Sequence, residues 1–349
     1  MKTKWFIAAV CAAILAIGCS GPKSTSSNGA SGGASGNLKG KTFRIVMIAK
    51  SESNPVFPVA EVGAKAAAKE LSKSTGVNIE IDWQTPANES AEQEASNINQ
   101  AVTTGANCVL ISCSDAKKLT SAINHAVESG VPVMCFDSDD PESKRFAYYG
   151  TDDTDQGTEL MDQLGMYMHG KGTVAILAGN QNAPNLQARV KAVQAEAAKK
   201  FPNIKFVPVA YHKETPADAT AKVEEYMNAY PQITGWAMVG GWPLFEPALL
   251  NQLNPKKVVV VAGDALPAEL EYVDKGIAPA LIAQPVYDWG YDSVHLIVDK
   301  LILHKQIAAY NKMVNPVVNK QNLHEWAMKL QSWGMQGIDP KFLNPNYGK

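Results

Sequence analysis

Eight side chains combine carboxylates, amides and aromatic rings: Asn54, Phe57, Asp137, Asn185, Gln187, Trp242, Asp264 and Gln284. Each stands at or just beyond the end of an apolar, strand-like run. Ser53, Ser112, Ser114, Asn180 and Asn182 stand at the same run ends. Carboxylates and amides pair with vicinal hydroxyls, and an aromatic face covers the C–H face of a ring. The set suits capture of a small polyol. Such pairing is selective, because an unpaired buried polar group costs about 1–3 kcal/mol.

Other chemistry finds no support. The turn after Phe43–Ala49 reads Lys50-Ser51-Glu52-Ser53-Asn54-Pro55, not a glycine-rich phosphate loop. Neither a G-x-S-x-G elbow nor an H-E-x-x-H pair is present. The 6 histidines are scattered through helix-like stretches. Asp137-Ser138-Asp139-Asp140, with Asp152, Asp153 and Asp155, lacks the calcium loop with its terminal Glu, so loop solvation and helix capping at Asp153 explain it. No cofactor, metal or catalytic residue is expected. Cys108, Cys113 and Cys135 are too few for a disulfide framework. Buried thiols are expected, with a Cys113–Cys135 bridge left open.

The elements that must position the eight residues are α/β. Strands are expected at Phe43–Ala49, Val77–Trp83, Asn107–Ser112, Val131–Phe136 and Phe146–Gly150, then at Thr173–Ala178, Lys205–Ala210, Gly235–Val239, Val258–Ala262 and Ala280–Ala283. Helix-like segments lie between them, including Pro55–Ser74, Asp155–Met168, Leu186–Lys200, Pro243–Leu253 and Tyr287–His304. Near-continuous apolar strands alternating with helices imply parallel sheets covered on both faces. Ligands of such sheets bind beyond the carboxyl ends of the strands.

At the amino end, Lys2 and Lys4 precede the apolar run Trp5–Ile17, which is too short to span a bilayer stably and reads as a signal peptide. Cys19 after Gly18 resembles a bacterial lipobox. That resemblance implies cleavage before Cys19 and lipidation of it. Ser20–Asn37 is small and polar, as a flexible tether is. Lys and Arg total 32 against 34 Asp and Glu, so no basic stripe invites nucleic acid.

Phe43–Ala49, Ser53-Asn54-Pro55 with Phe57, the strand ending at Asp137, Val260-Val261-Ala262-Gly263-Asp264 and Ala283-Gln284-Pro285 together resemble the periplasmic sugar-binding proteins of the ribose-binding type, over about residues 42–315. The resemblance implies two Rossmann-like three-layer lobes joined by a three-stranded hinge (periplasmic binding protein type I). It implies a signal peptide over 1–18, a lipidated tether over 19–41, a first lobe of 42–149 plus 285–312, and a second of 150–284 plus 313–349. Hinge closure on a monosaccharide and delivery to an ABC transporter permease follow, by a monomer anchored in the cell envelope through lipid alone. Residues matching Asn54, Phe57, Asp137, Asp264 and Gln284 contact the sugar in that family. Ser138 and Gln187 stand where ribose binders carry arginines, and Gly240-Gly241-Trp242 replaces an Asn-Asp pair. A less cationic, more aromatic pocket is therefore expected, for another pentose, a hexose or a deoxysugar. The alternatives are a sugar sensor feeding a chemoreceptor or sensor kinase, a repressor core and a secreted glycosidase using Asp137 and Asp264.

Overall fold

A computed structural model describes residues 38–348. The signal peptide, Cys19 and nearly all of the tether lie outside the described residues. Strands β1 (Thr42–Ile48), β2 (Asn78–Trp83), β3 (Cys108–Ile111), β4 (Val133–Phe136) and β5 (Ala147–Gly150) form one sheet with β12 (Tyr310–Lys312). Their order is β12-β5-β4-β3-β1-β2, and every pairing is parallel. All carboxyl ends thus point to one edge. Alternation along β1 divides the core: Ile45 and Met47 face one layer of helices, Val46 and Ile48 the other.

A second sheet contains β6 (Lys171–Gly179), β7 (Asn203–Phe206), β9 (Gly235–Met238), β10 (Val259–Asp264), β11 (Ala280–Ala283) and β13 (Val317–Val318). Its order is β13-β11-β10-β9-β6-β7, with β8 (Ala210–Tyr211) also paired to β6. Only β13 runs antiparallel. In both sheets the first strand has neighbours on each side that come later in the chain, so the strand order reverses there. Such reversals open a crevice at the carboxyl ends.

The chain moves between sheets after β5, after β11 and between β12 and β13. After β11, helix α8 (Val286–Leu301) returns to pack on α1 (Val56–Thr75). The two helices meet backbone to backbone. A Cβ on Gly290 would lie 1.9 Å from the Ala60 carbonyl oxygen, and one on Gly63 would lie 2.0 Å from that of Tyr287. Helix α9 (Leu323–Ser332) lays Trp326 and Leu330 on the second lobe's core. Just beyond it, Trp333 stacks on Tyr287 of α8 at 5.7 Å.

Three expectations need correction. Pro243–Leu253 is not an α-helix but two short 3-10 turns, Trp242–Leu244 and Pro247–Asn251, each with a proline in its first turn. Lys205–Ala210 divides into β7 and β8 at Pro208, which has no N–H for a ladder bond. The cap of α4 (Asp153–Tyr167) is Asp152, whose side chain accepts from the Thr154 and Asp155 amides. Cys108, Cys113 and Cys135 are buried free thiols.

Candidate ligand-binding site

The carboxyl ends of both sheets face each other, and one small cavity lies between them. Asn54, Phe57, Asp137, Asn185, Trp242, Asp264 and Gln284 line it, along with Lys50, Arg189, Glu214 and Trp289. It has room for only about 20 Å³ of water-sized occupancy, about one water molecule. Its lining is nearly all buried: Asp137 and Asp264 are each 4% exposed, and Trp289 is 1%.

Both carboxylates sit on strained backbone. Asp137 follows β4 with φ 55°, and Asp264 ends β10 with φ 82°. Asp tolerates this left-handed region better than most residues, and such conformations cluster at functional sites. The turns swing each carboxylate off its strand end into the crevice. Asp137 accepts from the Ser112 hydroxyl at 2.6 Å and from Asn185 Nδ2 at 3.3 Å. Asp264 accepts from the Gly241 amide at 2.7 Å and from Gln284 Nε2 at 2.5 Å. Burial pushes the Asp264 carboxyl up, while the Gly241 amide, Arg189 and Gln284 oppose the shift.

The aromatic walls are equally fixed. Phe57 meets Phe136 edge-on at 6.5 Å and leans on Trp289 at 6.0 Å. Trp242 lies over Gly240, where a Cβ would come within 2.6 Å of its ring, so glycine is required there. The His212 and Trp242 rings meet edge to face at 5.0 Å.

Gln187 does not line the cavity; its amide oxygen faces the Tyr211 hydroxyl at 3.4 Å. Helix α5 (Pro184–Lys200) explains the placement, since residues four apart share a face and neighbours two apart do not. Asn185 and Arg189 share that face. Arg189 donates to Asp153 at 2.8 Å, to the Val239 carbonyl at 3.0 Å and to Gln284 Oε1 at 2.9 Å. Lys50 stands in the turn after β1, and its amine donates to Asn185 at 3.2 Å and lies 3.9 Å from Asp137 and 3.7 Å from Glu214. Burial works against its charge, but Glu214 and Asp137 outweigh that and hold its pKa above the ordinary range. Burial pushes the Glu214 carboxyl up, against the pull of Lys50. The pocket is therefore not the less cationic one expected: it holds two cations, both already engaged by protein groups.

The crossings are stitched beside the cavity. Thr151 donates to Gln284 Oε1 at 2.9 Å, and Asn315 donates to Thr151 at 3.1 Å and to the Ala283 carbonyl at 3.0 Å. Gln284 thus joins a chain crossing to Asp264 and Arg189. Among the buried lining groups, the Trp289 indole N–H and Glu214 Oε1 have no hydrogen-bond partner. Buried polar groups are nearly always paired, so both are open to a ligand's hydroxyls.

Two α/β layers facing each other across a polar, aromatic cavity define a two-lobed solute-binding protein. The chain belongs to the periplasmic binding protein domain family, whose model matches residues 45–305. Members bind solutes and are not enzymes, and they work outside the cytoplasm. No described helix is long and apolar enough to cross a membrane. The D-apiose import binding protein of Actinobacillus succinogenes is 24% identical over 259 residues, covering 72% of this chain and 79% of that one. An ABC transporter solute-binding protein from Burkholderia graminis C4D1M, solved with D-arabinose, superposes with TM-score 0.73 at 26% identity, covering 80% of this chain and 96% of that one. The XylFII–LytSN complex contains a chain matching with TM-score 0.72 at 26% identity, covering 80% of this chain and 98% of that one.

Proposed function

We propose that this chain is the solute-binding component of an ABC sugar importer and holds one neutral monosaccharide between its lobes. The carrying observation is the cavity: two buried carboxylates from opposite sheets, two aromatic walls and two polar atoms that make no hydrogen bond converge on one point. Asp137 and Asp264 accept from ring hydroxyls, Asn54 and Asn185 add amide contacts, and Phe57 and Trp242 cover the ring. Lys50 and Arg189 donate, and Gln284 couples the ligand to the hinge. Because the closed cavity is so small, the sugar enters when the lobes part. On closure its hydroxyls replace the direct Asp137–Asn185 and Lys50–Asn185 contacts. The apiose-, arabinose- and xylitol-binding relatives support a pentose or related polyol as ligand.

In this reading the protein acts as a monomer, cleaved before Cys19 and lipidated there, and residues 20–37 tether it to the envelope membrane. A thermal-shift screen of pentoses, hexoses and deoxysugars tests the sugar assignment. A correct ligand at a hundred times its Kd adds about 2.7 kcal/mol of stability. No shift with any of them would refute the assignment.

A sensory role is the second reading, favoured by likeness to the XylFII–LytSN complex. The two separate by partner: sugar-loaded protein stimulates the ATPase of a reconstituted importer in the first and binds a sensor ectodomain in the second.

A further inference from the structure

Beside the closed cavity lies a second, roomier chamber of about 560 Å³. Both lobes build it: Ser51, Ser53 and Glu89 come from the first, and Gln181, Tyr211 and Thr215 from the second. It shares Glu214 with the inner cavity, and Ser51 follows Lys50 directly. The partition is therefore the Lys50–Glu214 pair, at 3.7 Å, together with the His212–Trp242 contact. Asn180 donates to Glu89 across the lobes at 2.7 Å, so the chamber closes with the cleft and is not a groove on one lobe alone. Glu214 Oε1, buried in the partition, lacks a hydrogen-bond partner. Hydroxyls, amides, the Glu89 and Glu214 carboxylates, Lys213, His212 and one half-exposed tyrosine make a lining of the kind that holds a sugar unit.

We propose that the chamber is a second subsite, and that the natural ligand is a glycoside or disaccharide. One neutral sugar unit sits in the inner cavity and a second hydroxylated unit projects past Glu214 into the chamber. The inference rests on the monosaccharide reading of the inner cavity and extends it. The inner cavity lies at the hinge side of the lobes, and in the proposed reading it widens to take one ring when they part. A substituent on that ring has one polar, two-lobed space beside it. Tyr211, 36% exposed and outside the inner cavity, offers its ring to that unit.

Titration calorimetry of the full mature chain with free pentoses and hexoses, their methyl glycosides and their disaccharides tests this. The expected result is at least one disaccharide or glycoside binding as tightly as its free monosaccharide, or more tightly. Tyr211→Ala should then weaken the disaccharide about tenfold, equivalent to about 1.4 kcal/mol, and change the free monosaccharide less than about twofold. Gln181→Trp, which fills the chamber from an exposed position, should do the same if Tyr211→Ala proves unstable. Binding of free monosaccharides alone overturns the second subsite and leaves the inner cavity's assignment standing. Equal weakening of both ligand classes by both variants also overturns it. No heat with any sugar overturns both readings together.

Discussion

Replacing Asp264 with asparagine separates binding from folding better than any truncation. The shape is kept, and Asn accepts the left-handed backbone that Asp264 adopts at φ 82°. Alanine there would pay about 1–2 kcal/mol in backbone strain and orphan the Gly241 amide, so a lost ligand would be ambiguous. Asparagine can still accept from Gly241 through its oxygen. Its amide nitrogen then faces Gln284 Nε2, donor against donor, and Gln284 cannot turn over because its oxygen already accepts from Thr151 and Arg189. One bond is lost, costing about 1 kcal/mol. Removing a buried charge offsets part of that, since burial already pushes this carboxyl up. The unliganded protein should therefore lose no more than about 1 kcal/mol. The sugar loses a bond to a charged group, worth about 1.5–3 kcal/mol, or about 10–150-fold in Kd. Calorimetry gives Kd, and urea titration of the unliganded protein gives stability. An unchanged Kd would show that Asp264 does not touch the ligand. A loss of several kcal/mol in the unliganded protein would make it a structural brace instead.

Other perturbations have equally definite outcomes. Burial lowers the His212 pKa from its ordinary value to about 4. Its Nδ1 donates to the Lys213 carbonyl and its Nε2 accepts from the Gly179 amide, at 3.2 Å, so a second ring proton would face an N–H. The neutral ring's contribution is full above pH 6.5, falls as pH drops, and is lost below about 4; it is worth about 3 kcal/mol. Buried carboxyls such as Glu214 and Glu94, pushed up by burial, act in the opposite sense over the same range, so the readout is the difference in urea midpoint between wild type and His212→Gln, which should carry that slope from pH 7 to 4; a pH-independent difference would place the titration elsewhere. Gly290→Ala drives a Cβ into the Ala60 carbonyl and should cost about 3 kcal/mol by pushing α8 off α1, read by thermal melting; a neutral effect would contradict that close approach. Cys19→Ser should abolish fatty-acid labelling and leave the precursor uncleaved on a gel, whereas normal processing would remove the lipid anchor from the proposal.

Much of the fold is legible in the sequence because each lobe repeats one local rule. Runs such as Val133–Phe136 are wholly buried, as strands covered on both faces must be, and so they read as apolar blocks. Strand-end carboxylates are legible for the same reason: Asp137 and Asp264 terminate such blocks. The sequence carries no local signal where geometry is set by helix phase or by partners distant in the chain. Gln187 and Arg189 differ by two positions, and only the start of α5 at Pro184 decides which one faces the cavity. Lys50 and Glu214 are 164 positions apart and come from different lobes, so neither carries a local signal. Trp289 hides in the apolar stripe of α8, where its ring is needed for packing and only its unpartnered N–H marks it out. The prolines at 243 and 247 could have warned against a helix there, since two in five residues disrupt its bonding.

A crystal structure of the mature chain with the tightest sugar from the screen tests the central claim most directly. One ring should lie between the lobes, with hydroxyl oxygens within about 3 Å of both the Asp137 and Asp264 carboxylates. A sugar held by one lobe alone, or bound away from both carboxylates, would contradict it.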